Sequence, residues 1–91
     1  MGGNPNHSPH IEIVWTDVSA SGRTKIFEVR NTTKPEVGGI GIIRWHGPWR
    51  GYVYECDASF YDAKCLQQIA DFIRVANEDQ KTLGKEERWA M

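Results

Sequence analysis

The sequence predicts a small α+β domain of two layers, ββββα, in which a four-stranded antiparallel meander carries one C-terminal helix on one face. Three observations predict this class. The chain has 91 residues, the length of a single domain. Four short segments rich in β-branched and aromatic residues follow one another across short turns, which favours antiparallel pairing. One later segment repeats apolar residues with the period of a helix.

The strands are recognised by alternation of apolar and polar residues and by the breakers between them. Residues 17–23 form a turn cluster in which Gly22 can adopt a positive φ. Residues 31–39 contain Pro35, which has no N–H to donate to a sheet. A Gly-Pro turn at 47–48 precedes the last strand. The predicted strands are residues 10–15, 24–31, 40–46 and 51–56.

One helix follows the strands. Ser59 and Asp62 resemble a capping box, with Asp in place of the usual Glu. An apolar stripe follows at helical spacing and fades near Asn77. The stripe consists of Leu66, Ile69, Ala70, Ile73 and Ala76, widened by Cys65 and Phe72. The residues predicted to face solvent are Lys64, Gln67, Gln68, Asp71, Arg74 and Glu78.

These elements define one domain at residues 10–80. We expect a disordered leader at 1–9, where nothing apolar can be buried, and a polar tail at 81–91. Within the tail, Trp89 is the residue that could fold back onto the domain.

Composition indicates an ordinary soluble protein, with 40% apolar and 25% charged residues. No segment has the length of a membrane span or the layout of a signal peptide, so we expect no membrane association and a cytoplasmic location. Cys56 and Cys65 should then be free thiols. No spacing among the cysteines and histidines is typical of a metal site, and no cofactor is predicted.

Charge is unevenly distributed along the chain, although the net charge is only −1. Residues 23–50 hold six basic and two acidic residues, a net +4, whereas residues 51–80 hold two basic and six acidic residues, a net −4. Such a dipole can orient a partner or pair head-to-tail with a second copy. Two solvated faces of opposite average sign explain the pattern equally well.

Strand parity separates a core face from an open face, because one helix covers only one side of the sheet. The predicted core face is Ile11, Ile13, Trp15, Phe27, Val29, Gly41, Ile43, Trp45, Tyr52, Tyr54 and Cys56. The predicted open face mixes aliphatic and charged residues: Glu12, Val14, Ile26, Glu28, Arg30, Ile40, Ile42, Arg44, Val53 and Glu55.

The aliphatic content of the open face predicts an interaction surface. Its candidate interface residues are Ile26, Arg30, Ile40, Ile42 and Val53. A homodimer is the simplest use of such a face, and a different protein is the other. Cross-strand aliphatic pairing that only stabilises the sheet is the competing interpretation.

Residues 44–54 hold two Trp, two Tyr, two Arg and one His. The pattern G-x-I-x-W-x-G-P-W-R-x-Y, followed by a short acidic turn and then Cys-Leu-x-x-Ile-Ala-Asp-Phe-Ile and an Asn, resembles a family of small uncharacterised proteins encoded by phages, prophages and mobile elements. The resemblance covers about residues 24–77 and implies a phage-type origin, hence a host-cell cytoplasm, but no particular chemistry. It rests on Gly41, Trp45, Gly47, Pro48, Trp49, Arg50, Tyr52, Cys65, Leu66, Ile69, Ala70, Asp71, Phe72, Ile73 and Asn77.

The turn within this segment is the predicted binding site, made of Arg44, His46, Trp49 and Arg50. Trp and Arg are the residues most enriched in binding hot spots. In the competing interpretation, Trp49 folds over the sheet end and stacks on Arg50. No P-loop, G-x-G-x-x-G or G-x-S-x-G motif is present, and Cys56 and Cys65 fall at core positions away from catalytic use.

The sequence therefore predicts a non-enzymatic protein–protein interaction module that binds or inhibits a host factor or forms a homodimer. The alternative is a single-stranded nucleic-acid-binding protein that uses Arg44, Trp49, Arg50 and Lys25. The open face has a net charge of −1, from three glutamates and two arginines, which disfavours the alternative.

Overall fold

The structure, a computed structural model, describes residues 11–32, 39–56 and 63–91. The chain forms one antiparallel sheet in the order β1-β2-β3-β4, followed by one helix, which confirms the predicted ββββα class. The elements are β1 (Ile11–Val18), β2 (Lys25–Asn31), β3 (Gly39–His46), β4 (Gly51–Cys56) and α1 (Ala63–Gln80). The predicted leader, Pro35, Ser59 and Asp62 lie outside the described residues, as does the side chain of Ile40.

The first strand is longer than predicted because a bulge carries it past Trp15. The register with β2 shifts between Trp15 and Asp17, so that Asp17 lies opposite Ile26 and Val18 opposite Lys25. The Trp15 indole N–H donates to the Asp17 carbonyl at 2.7 Å and steadies the bulge. The following turn places Gly22 at a φ of 74°, the left-handed backbone that the sequence predicted there.

The core lies between the predicted core face and α1. Six of its strand residues are buried, and three aromatic residues pack against them half-buried. The buried ones are Ile11, Ile13, Phe27, Val29, Ile43 and Tyr52, and the half-buried ones are Trp15, Trp45 and Tyr54. Strand parity was therefore assigned correctly.

Cys56 is the exception on this face, since it is exposed and not part of the core. It is the last residue of an edge strand, and its cross-strand partner, Gly41, has no side chain to cover it. Neither cysteine forms a disulfide, and Cys65 is buried.

The buried face of α1 is largely the predicted one, but it includes Gln68 and leaves out Leu66 and Ala70. Leu66 is 51% exposed and Ala70 is exposed, whereas Gln68, predicted to face solvent, is buried. The residues that face the sheet recur at three- and four-residue steps along the helix, and all but Gln68 belong to the predicted stripe. They are Cys65, Gln68, Ile69, Phe72 and Ala76, with Ile73 at the margin.

Residues 81–91 dock against the turn between β1 and β2. The Trp89 backbone N–H donates to the Gly22 carbonyl at 2.8 Å. The Arg23 guanidinium donates to the carbonyls of Gly84 at 2.7 Å and Glu87 at 2.6 Å. Trp89 therefore folds back and closes the same end of the sheet as the β3–β4 turn.

Candidate functional site

The open face keeps its mixed character in the structure. Ile42 is 43% exposed, and Val14, Ile26 and Val53 are half-buried. Of the predicted interface residues, Ile26, Arg30, Ile42 and Val53 are all in paired strand positions on this face. Aliphatic and charged residues alternate across the strands: Ile42 pairs with Glu28 and Glu55, and Arg44 pairs with Ile26 and Val53.

The charges of the open face are largely paired with one another. The Arg44 guanidinium forms a bidentate ion pair with Glu55, in which Nε lies 2.6 Å from Oε1 and Nη2 lies 3.0 Å from Oε2. Arg30 forms an ion pair with Glu28 on the same strand. Each of these arginines already has a carboxylate partner. A second protein can therefore cover the aliphatic residues between the ion pairs without leaving a buried, unpaired cation.

The turn between β3 and β4 projects Trp49 into solvent. Residues Gly47–Trp49 form a 3-10 turn, which Pro48 favours through its fixed φ. Trp49 is 76% exposed, so it does not fold over the sheet end. Its ring meets the His46 ring edge-to-face, at a centroid distance of 4.9 Å and an angle of 81°. His46 shares a face of β3 with Ile42 and Arg44, so Trp49 extends the open face at this end.

Arg50 leaves the turn on the other side. Its backbone is left-handed, with φ 52° and ψ 47°, and its N–H donates to the Gly47 carbonyl at 3.1 Å. The side chain is exposed and lines a cavity beside α1. The four predicted binding residues therefore divide: Arg44, His46 and Trp49 belong to the open face, and Arg50 belongs to the helix side.

That cavity, here called the helix-side groove, has a volume of about 590 Å³ and lies between the turn and α1. Its apolar lining comes from Trp45, Ala70 and Ile73. Its polar lining holds three cations and one acid among Arg50, Arg74, Asn77, Glu78, Gln80 and Lys81. Apart from Arg50, none of the polar lining residues was predicted as a site residue. The available signal was spacing, since Arg74, Asn77 and Lys81 recur at steps of three and four residues.

Lys25 was predicted to bind nucleic acid in the alternative function, but its side chain makes contacts within the folded protein. Its ammonium lies 4.5 Å from the centroid of the Trp15 ring and 4.1 Å from that of the Trp89 ring. It also lies 3.0 Å from Asp79 Oδ2, and its side chain is only 16% exposed. The ammonium is therefore already engaged by two indole rings and one carboxylate.

Comparison with protein families, curated proteins and solved structures found no match to this chain. Residues 11–32, 39–56 and 63–91 contain no group of three or more His, Cys, Asp or Glu side chains arranged to hold a metal ion. No helix within the same residues is long and apolar enough to cross a bilayer.

Proposed function

We propose that the protein is a non-enzymatic protein–protein interaction module that acts through the open face and Trp49. The observation that carries the proposal is the exposure of Trp49, 76%, at the end of a sheet face on which Ile42 is 43% exposed. An indole anchor beside partly exposed aliphatic residues and internally paired charges is the composition of a binding hot spot with its rim.

A second copy of the chain is the partner to test first, because an isologous contact needs only one surface and is the commonest assembly of soluble proteins. The resemblance to phage-encoded proteins makes a host-cell protein in the cytoplasm the second candidate. Single-stranded nucleic acid is less well supported, since Lys25 is held between two indoles and Arg44 is forked onto Glu55.

Size-exclusion chromatography with light scattering tests the homodimer. We expect the wild-type protein to be a dimer and Ile42→Glu to be a folded monomer, because a carboxylate on this face would be buried unpaired in the interface. Trp49→Ala should weaken the dimer and still give a folded protein with cooperative unfolding, since the side chain is exposed. Lys64→Glu is the matched control, an exposed substitution on α1.

A wild-type monomer at high concentration would exclude the homodimer. Pull-down from host extract with wild-type, Trp49→Ala and Ile42→Glu proteins then tests the host factor, which should be lost with both variants. Retention by both variants would contradict the proposed surface. An absorbance at 260 nm that high salt removes would favour the nucleic-acid alternative.

A further inference from the structure

We propose that the helix-side groove is a binding site for a nucleoside phosphate, with the planar ring against Trp45 and the phosphate among Arg50, Arg74 and Lys81. The site lies on the opposite side of the β3–β4 turn from the open face, so it is independent of the interaction surface proposed above. Its volume of about 590 Å³ is that of a small-molecule site, for which roughly 300–1,000 Å³ is typical.

The charge of the groove selects an anion. Arg50, Arg74 and Lys81 face one acid, Glu78, which leaves an excess of two positive charges among the lining residues. A phosphate monoester carries between about −1.5 and −2 at neutral pH and matches that excess. Guanidinium groups also present paired donors in the geometry that phosphate oxygens accept.

The cations are available to a ligand. Arg74 lies 3.6 Å from Asp71, and Lys81 lies 3.3 Å from Glu78. Both pairs are exposed and join residues three positions apart. Exposed ion pairs contribute little to stability, so replacing the carboxylate partner of each cation with a phosphate costs little. Arg50 forms no ion pair with any side chain in the described part of the chain.

The backbone of Arg50 is the second observation. A φ of 52° is unfavourable for a residue with a Cβ, and glycine or asparagine is the usual occupant. Arg50 therefore holds a strained backbone position while its side chain lies at the mouth of a cationic groove. The left-handed turn also fixes the direction in which that side chain leaves the backbone.

The apolar lining and Asn77 suit the ring of a nucleoside. Trp45 is half-buried and meets Tyr52 edge-to-face, at a centroid distance of 5.4 Å, which holds the indole in place. Asn77 Oδ1 accepts the Tyr52 backbone N–H at 2.9 Å, which orients its amide group. Nδ2 donates to no partner within residues 11–32, 39–56 and 63–91, so it can donate to an acceptor on a base. Aromatic stacking with a polar donor at the edge is a common way to hold a base.

Isothermal titration calorimetry with the four nucleoside 5′-monophosphates tests the site. Adenosine tests the contact with the ring alone, and inorganic phosphate tests the contact with the cations alone. We expect at least one monophosphate to bind, and adenosine and phosphate each to bind at least tenfold more weakly. Arg50→Ala and Lys81→Ala should each weaken binding about tenfold, the usual loss for one charge-assisted hydrogen bond. Lys64→Ala, which removes an exposed cation from the same helix outside the groove, should leave the affinity unchanged.

A second measurement locates the ligand. In ¹⁵N-resolved spectra, the Trp45 indole and the Asn77 side-chain amide should shift with the same dissociation constant, and the Trp49 indole should not. Oligothymidylate titrated in parallel shows whether the bound phosphate belongs to a free nucleotide or to a single strand. If only the oligomer binds tightly, and Arg50→Ala abolishes that binding, the phosphate is that of a single strand. The proposal would be overturned if neither the nucleoside monophosphates nor oligothymidylate bound. It would also be overturned if Lys64→Ala lost as much affinity as Arg50→Ala.

Discussion

The Tyr52 hydroxyl donates a 2.7 Å hydrogen bond to the Gln80 side-chain oxygen, which fastens the C-terminal turn of α1 to β4. The same hydroxyl accepts the Lys25 backbone N–H at 3.0 Å. Gln80 in turn donates from Nε2 to the Arg23 carbonyl at 2.6 Å and accepts the Trp89 indole N–H at 3.1 Å. Two side chains thus join the sheet, the helix and the docked residues 81–91.

Stability should decline at alkaline pH through Tyr52. Burial raises the pKa of the Tyr52 phenol, the Lys25 backbone N–H lowers it, and the nearby Asp79 carboxylate raises it, with a net increase above the ordinary 10.0. In the unfolded chain the phenol ionises at its ordinary value, while the folded protein keeps it protonated. The contribution is therefore complete below about pH 10 and is lost as the pH rises through the raised pKa.

Urea unfolding of the wild-type protein and Tyr52→Phe measures this contribution. At about pH 8 we expect the wild type to be more stable by about 1–2 kcal/mol, the value of the lost hydrogen bonds. At about pH 11 the difference should be smaller, because only the wild-type unfolded chain gains an ionised phenol. A difference that stays constant or grows with pH would contradict the burial of this hydroxyl.

Gly41 should not tolerate a side chain. A Cβ built there would lie 2.3 Å from Cε1 of Tyr54, whose ring crosses the glycine on the core face. We expect Gly41→Ala to lower the free energy of unfolding by about 1–3 kcal/mol, the usual cost of overpacking a core. Gly47→Ala is the control, because nothing lies within 4 Å of a Cβ at that position. In a Tyr54→Ala background the cost of Gly41→Ala should shrink, and equal costs in both backgrounds would rule out the steric cause.

Replacing Gln68 with an apolar residue should stabilise the protein. The side chain is 9% exposed, and neither Nε2 nor Oε1 has a hydrogen-bond partner within the part of the chain that the structure describes. An unpaired buried amide costs about 1–3 kcal/mol, so we expect Gln68→Met to raise the unfolding free energy by about 1 kcal/mol or more. Gln67→Met, at an exposed neighbouring position, should have little effect. A destabilised Gln68→Met protein would show that the amide is satisfied after all.

Arg50→Gly should separate stability from binding. Glycine relieves the left-handed backbone, and we expect thermal unfolding to show a gain of up to about 1 kcal/mol. The same substitution removes a cation from the helix-side groove, so nucleoside phosphate affinity should fall as it does in Arg50→Ala. Arg50→Ala, which keeps the backbone strain, is the matched control and should show no gain in stability.

The strands and their buried face could be predicted because a period of two residues leaves only two assignments. The aromatic and charge-free set that includes Phe27 and Ile43 was clearly the one to bury. Which residues at the edge of the apolar stripe of α1 face the sheet could not be predicted in the same way. Leu66 is more apolar than Cys65, yet the stripe through Cys65 meets the sheet, because the position of the helix is fixed by long-range contacts such as that between Tyr52 and Gln80.

The candidate site was less predictable for a related reason. Whether Trp49 lies in solvent or on the sheet depends on the left-handed residue after it, and arginine carries no local preference for that conformation. The helix-side groove requires Arg50 to lie near Lys81, thirty-one positions away, and no local pattern brings the two together.

The order of the elements also bears on how the chain is made. Each strand pairs with its neighbour in sequence, so the sheet can assemble from local hairpins with short loop closures, a topology associated with rapid folding. The helix that covers Phe27, Val29 and Ile43 is synthesised only after all four strands. A sheet that forms before α1 exposes its apolar face until the helix covers it, and such exposed apolar surface is what makes folding intermediates prone to aggregation.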